Sequence, residues 1–443
     1  MTHLRIILFT ILFLTVILLI YYFVVDNDIH YNNAQEPTLN DPNLQVELLV
    51  EGLSWPTSMA FIDNNNILVL EKEKGTVRLV SNGILQQEPV LEVDVNSRSE
   101  RGLLGITILN NDIVFLYYTE PSTQDNDQLR NRVYKYQWND EERLLVNPTL
   151  ILDMPAIPGP NHDGGKLIIN HDGGKLIIGP DNYLYAVIGD LTVMGDLNHM
   201  GKLQNIVNGP DPDDTSVIFR VNPEDGSPAP DNPFTNNNKD NKLTSLNKYY
   251  AYGIRNSFGI AFDPVTDILW DTENGPHEYD EMNVVKPGFN SGWAQVMGPI
   301  SKSDITAEDK LVNFPNSKYA DPVFSWLPSH GVTDIEFLNS SKLGDKYTNN
   351  IFVGDIGLRT DGYLYYFEVN QERTGIKFDS GSNKAGLIDL VADNEEEMSA
   401  IALGTNFGGI TDIETGPDGF LYVLTLDRES NGEGKIYRIT PQT

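Results

Sequence analysis

Four short stretches carry side chains that could do chemistry, and one of them is written twice. Residues 161–169 and 170–178 are the same nine residues, NHDGGKLII, in direct succession, so that His162 and His171 each precede a pair of glycines. Histidine gains and loses a proton near neutral pH, and glycine lets a backbone come close to a ligand. A structural histidine in a polar turn is the plainer alternative. In Ser99-Glu100-Arg101-Gly102-Leu103-Leu104-Gly105, Glu100 is a lone carboxylate immediately before an apolar run; a surface glutamate would look the same. In Tyr252-Gly253-Ile254-Arg255-Asn256 a fixed cation stands beside a carboxamide, which suits an anionic or oxygen-rich ligand or an internal salt bridge. Residues 272–283, TENGPHEYDEMN, bring together four carboxylates, two carboxamides and the backbone carbonyls around Gly275-Pro276. Hard oxygens in that number are what Ca²⁺ takes, with about six to eight ligands. The spacing is not that of an EF-hand, and an acidic surface loop accounts for the composition as well.

These stretches sit at the ends of a recurring unit: a short alternating strand, an Asx or Gly turn, then a denser apolar strand. The units are Ser58 to Glu71, Leu104 to Glu120, Lys175 to Asp190, Gly259 to Glu273, Thr333 to Asp355 and Thr411 to Asp427. Several are followed by a further strand, such as TVRLV, RVYKYQW, SVIFRV, YLYYFEV or KIYRI. Six such hairpins describe an all-β chain folded as a six-bladed β-propeller over residues 46–443, with roughly 65 residues per blade. Val46 to Leu53 is then expected to pair into the last blade and close the ring. The alternative is an all-β sandwich or two β domains.

The rest of the chain bounds the function. Residues 6–25, IILFTILFLTVILLIYYFVV, form an uncharged apolar run long enough to span a bilayer as one helix. Arg5 precedes it and acidic residues follow, which places the propeller on the extracytoplasmic side. Segment 1–25 is thus expected to be a membrane anchor, with cleavage after Val25 the alternative, and the polar, Asn-rich 26–45 a linker. A formal charge of −32 over 443 residues argues against nucleic-acid partners. The absence of cysteine excludes disulfides, thiolate metal sites and cysteine nucleophiles.

From about Val46 to Ile439 the chain resembles the glucose/sorbosone dehydrogenase family, the soluble aldose sugar dehydrogenases that depend on pyrroloquinoline quinone (PQQ) and have six-bladed propellers. The resemblance is carried by ERGLLGI, NHDGGKLIIGPDNYLYAVIGD, YGIRNSFGIAFDP and TENGPHEYDEMN followed by PGFNSGW, in the family's order. It implies oxidation of an aldose at C1 to the lactone, with PQQ and Ca²⁺ as cofactors, a small sugar as substrate and an unidentified electron acceptor. It also implies a histidine of the repeat as general base and Arg255 as oxyanion stabiliser with Asn256 beside it. Glu100 and Lys175 would line the cofactor pocket. Gly275 and Pro276 would offer carbonyls to Ca²⁺, and Asp280 and Glu281 match acidic positions associated with calcium.

The tandem copy poses a choice between His162 and His171. His171 keeps the family's spacing to the hairpin Lys175 to Asp190, and it is the expected base, with His162 as the alternative. The chain departs from the family in the loops Val353 to Gly362 and Phe407 to Gly419, where Arg359 is the one basic residue. Two further readings keep the fold: a propeller that binds a ligand or protein without catalysis, and a calcium-dependent hydrolase of lactones.

Overall fold

The computed structural model describes residues 36–122, 129–162, 175–191, 200–235, 244–302, 305–357, 361–378, 385–428 and 430–442. The apolar segment 6–25, His171 and Arg359 lie outside the described residues. Among the described residues no helix is long and apolar enough to cross a membrane.

The chain is an all-β propeller in which the described strands form six sheets. Each expected hairpin supplies the two inner strands of one sheet. In chain order these pairs are Pro56–Phe61 with Asn66–Glu71, Leu103–Leu109 with Ile113–Glu120, and Leu176–Ile178 with Leu184–Ile188. They continue with Ser257–Phe262 and Leu269–Glu273, Val332–Phe337 and Ile351–Asp355, and Gly409–Thr415 and Leu421–Asp427.

The apolar density of these strands follows from burial on both faces. In Leu184–Ile188, Leu184, Ala186 and Ile188 pack with Phe115 and Val133 of the preceding sheet, while Tyr185 and Val187 pack with Ile260 and Leu269 of the next. A strand alternates its side chains between faces, so neither face can be polar. The same bridging recurs between every successive pair of sheets and returns from the last to the first through Leu424, Ile436, Met59 and Val69.

Ring closure also uses the chain's two ends. Leu44–Ser54 pairs antiparallel with Glu433–Pro441 in the last sheet, as the sequence led us to expect. The compact unit that holds the sheets begins at Thr38, earlier than residue 46. Thr38–Leu39 pairs with Thr405 and Gly404, Asn40 donates to the Ala402 carbonyl at 2.9 Å, and the Tyr347 hydroxyl donates to Asp41 at 2.6 Å. Polar residues that look like a linker in composition are here satisfied by specific partners.

Candidate active site

In an antiparallel hairpin the start of the first strand and the end of the second lie at the same end. Glu100 comes just before Leu103–Leu109, and Arg255 and Asn256 just before Ser257–Phe262. Asp190 comes just after Leu184–Ile188, and Asn274 just after Leu269–Glu273. Three consecutive sheets therefore deliver these residues to one end of the propeller.

His162 joins them there. It is buried, with φ at 61°, a left-handed conformation that histidine adopts more readily than bulky residues do. Its backbone N–H donates to Glu100 Oε2, and its Nδ1 bonds Asp190 Oδ1. A carboxylate only accepts, so Nδ1 carries the proton and Nε2 is the basic nitrogen. The second oxygen of Asp190 accepts from Trp293 Nε1 at 2.7 Å. The close approach depends on Gly189, where a Cβ would lie 2.6 Å from the Arg255 carbonyl oxygen and 2.8 Å from His162 Cβ. Burial pushes the imidazole below its ordinary pKa and Arg255 adds to this, while Asp190 opposes it. The ring is thereby kept neutral and able to take a proton.

Arg255 is the cation beside this pair. Its guanidinium lies 5.3 Å from the centre of the Trp293 ring, and Nη1 donates to the Asn274 carbonyl at 2.8 Å. Among the described residues its Nε is buried without a hydrogen-bond partner, and so are Glu100 Oε1 and Asn274 Oδ1. Burial lowers the Arg255 pKa although Asp190, Glu273 and Asp280 pull it up. Buried polar atoms are rarely left open in a folded protein. Here an open donor and open acceptors surround a histidine base, an arrangement complementary to a polar, oxygen-rich ligand. Asn256 is fully buried next to Arg255.

The other expected residues are placed differently. Lys175 sends its ammonium to Asp334 and Asp412 at 2.7 Å each and to Glu414 at 3.3 Å. Those carboxylates stand on the innermost strands of the last two sheets, so Lys175 ties the sheets together across the ring. Asp280 is also fully engaged. It accepts from Gly275 N–H at 3.1 Å, the Ser329 hydroxyl at 2.6 Å, and the N–H groups of His330, Gly331 and Val332 at 2.7, 2.7 and 3.3 Å. These bonds shape the loop that presents Gly275, which is buried, and Pro276, which is exposed. At Gly275 a Cβ would lie 1.9 Å from the Tyr279 carbonyl oxygen.

Glu281 faces Glu273 across the strand pair, with Asp271 opposite Asn283 in the next register. Burial pushes Asp271 up to about 7 and Glu281 up to about 8, and it raises Glu273 as well, helped by Glu281. Among the described residues no three His, Asp or Glu side chains converge as a metal site.

Asp190 and Trp293 are site residues to which the sequence assigned no role, and Asn274 stood out there only as one carboxamide of the acidic loop. An Asp after Gly189 at the end of a fully apolar strand was a usable signal for Asp190. Trp293 offered none, because its partner is 103 residues away in the chain.

A family model described as Glucose / Sorbosone dehydrogenase matches residues 53–438. The uncharacterized protein slr1608 of Synechocystis sp. is 27% identical over 430 residues, covering 91% of this chain and 88% of that one. The aldose sugar dehydrogenase YliI of Escherichia coli is 26% identical over 408 residues, covering 90% and 93%. Among solved structures, the PQQ-bound aldose sugar dehydrogenase of Streptomyces coelicolor superposes with a TM-score of 0.61 at 20% identity, covering 91% of this chain and all of that one.

Proposed function

The chain belongs to the glucose/sorbosone dehydrogenase family, and from that premise we propose that it is a PQQ-dependent dehydrogenase oxidising aldose sugars at C1 to the lactone. The six sheets are then six blades, with the site at the end where His162, Asp190, Arg255 and Glu100 meet. The observation that carries the reading is the buried His162–Asp190 pair, set beside an arginine with an open Nε.

His162 is the base in this reading, in preference to His171. Its Nε2 takes the proton of the C1 hydroxyl, and Asp190 offsets the charge that then appears on the ring. Arg255 stabilises the oxyanion developing at O1. With Glu100 Oε1 and Asn274 Oδ1 it supplies the polar atoms that orient the sugar and the cofactor. PQQ, when bound, supplies the two-electron acceptor for the hydride leaving C1.

The residues present fit such a group in part: a half-buried guanidinium with an unfilled, buried Nε donor suits a quinone or carboxylate oxygen, whereas the Lys175 charge is taken up by its own carboxylates. Calcium would be held by the carbonyls of Gly275 and Pro276, with Asp280 shaping their loop and Glu281 a separate acidic position. Segment 6–25 would hold the enzyme in the membrane with the propeller on the extracytoplasmic side.

The deciding experiment is calorimetric titration of PQQ into the protein with Ca²⁺ and then with chelator, followed by a dye-linked screen of aldoses. Calcium-dependent binding, followed by turnover of an aldose, is expected. A folded protein that binds no PQQ would overturn the reading and favour a propeller that binds a ligand or protein without catalysis.

A further inference from the structure

We propose that Trp293 is the positioning residue that locks the His162–Asp190 pair and Arg255 into one unit. The inference rests on the reading of His162 as the base, and it assigns a role to a residue from a different loop. Trp293 makes two contacts with its ring. Nε1–H donates to Asp190 Oδ2 at 2.7 Å, on the oxygen that His162 does not use, and the ring lies 5.3 Å from the Arg255 guanidinium carbon. A carboxylate held at both oxygens cannot swing away from the imidazole, and a cation over an indole is fixed in position without being neutralised.

The residue is itself held by its backbone. Its N–H donates to the Gly253 carbonyl at 3.1 Å, and its carbonyl accepts from Asn205 Nδ2 at 2.8 Å. Gly253 is two residues before Arg255, so Trp293 and the arginine it covers share one local frame. A Cβ at Gly253 would lie 2.3 Å from Asn290 Oδ1, which ties that frame to the strand end before Trp293.

The consequence reaches the base through charge. Among the described residues, the charged groups acting on the imidazole are Asp190, which favours its protonation, and Arg255, which opposes it. Glu100 accepts the His162 backbone N–H, and Glu273 and Asp280 act on Arg255. The Trp293 N–H draws on the charge of Asp190. Without it, more of that charge falls on the His162 Nδ1–H, and the ring binds its proton more tightly.

The test is W293F, which keeps a flat ring for Arg255 and removes the N–H. In the full chain without cofactor, the titration of the His162 proton–carbon resonance, assigned with H162Q, should move up by about 0.5–1 pH unit. The acid limb of kcat/KM should move up with it. D190N should move the midpoint down, and W293F added to D190N should change nothing further. An unchanged midpoint in a W293F protein that melts like wild type overturns the inference, even if turnover falls. Should the wild type bind no PQQ and oxidise no aldose, the proposed function fails, but the resonance titration still decides this inference.

Discussion

Two cations, a buried lysine and a half-buried arginine, stand on neighbouring sheets of this molecule, and they are treated in opposite ways. Lys175 is surrounded by Asp334, Asp412 and Glu414. Burial alone would lower its pKa, but the three carboxylates outweigh it and hold the ammonium well above its ordinary value. Among the described residues, Arg255 has a ring on one face, a carbonyl on Nη1 and no hydrogen-bond partner on Nε. There burial wins, and the pKa is lowered. A cation whose field is spent on its neighbours stabilises the fold. A cation left under-compensated costs stability and is available to something that arrives from outside. The difference separates a structural tie from a binding group without reference to any relative.

The largest effect should come from the histidine on the open side. H162Q should lower kcat/KM for an aldose by about 10²–10⁴, the range for loss of a general base, whereas H171Q should leave it within about twofold. The reverse result would place the second copy in the pocket. Because the repeat is perfect, deleting 161–169 or 170–178 yields the same chain. We expect that shortened protein to be as active as the parent or more so; complete loss would show that the extra nine residues are needed.

The cations themselves provide the next break. K175M leaves buried carboxylates without their partner and should cost about 3–5 kcal/mol of stability, read as the midpoint of denaturant unfolding. R255M removes a charge that burial already disfavours. It should change stability by no more than about 1 kcal/mol while lowering kcat/KM by about 10²–10³. If R255M unfolds the protein as readily as K175M does, the two cations are of one kind and the contrast fails.

The scaffold was legible because its signal is periodic. Each hairpin is an apolar run between Gly or Asx turns, and burial of both strand faces made those runs unmistakable at Leu184–Ile188 and Leu421–Asp427. The residues next to the strands, Glu100, Arg255 and Asn256, were legible for the same reason, since a strand end in a propeller points to a common face. Their partners were not. Lys175 could be read as a pocket residue because nothing in the local sequence tells which carboxylates, about 159 to 239 residues away, will meet its ammonium. Trp293 could be read only as part of a motif. Spacing to the hairpin favoured His171 over His162, but identical copies satisfy identical local rules, so spacing alone does not decide which copy enters the pocket.

A third buried cluster, Asp271, Glu273 and Glu281, offers the gentlest test, since Glu281 and Asp271 both raise Glu273. Asp271 is pushed up to about 7 and Glu281 to about 8, each chiefly by burial. Their ordinary values are 3.8 and 4.5, so between about pH 4 and 8 these two groups hold more protons in the native chain than in the unfolded one. Their contribution to stability then falls as pH rises through that window. Protonation of one carboxylate relieves the others, so the total change should be well below the sum of the separate shifts. In chelator, Tm should decline from pH 5 to pH 8, and E281Q should flatten the decline. A Tm that rises from pH 5 to pH 8 in chelator would mean that the cluster is ionised and compensated, which would place it with Lys175 rather than with Arg255.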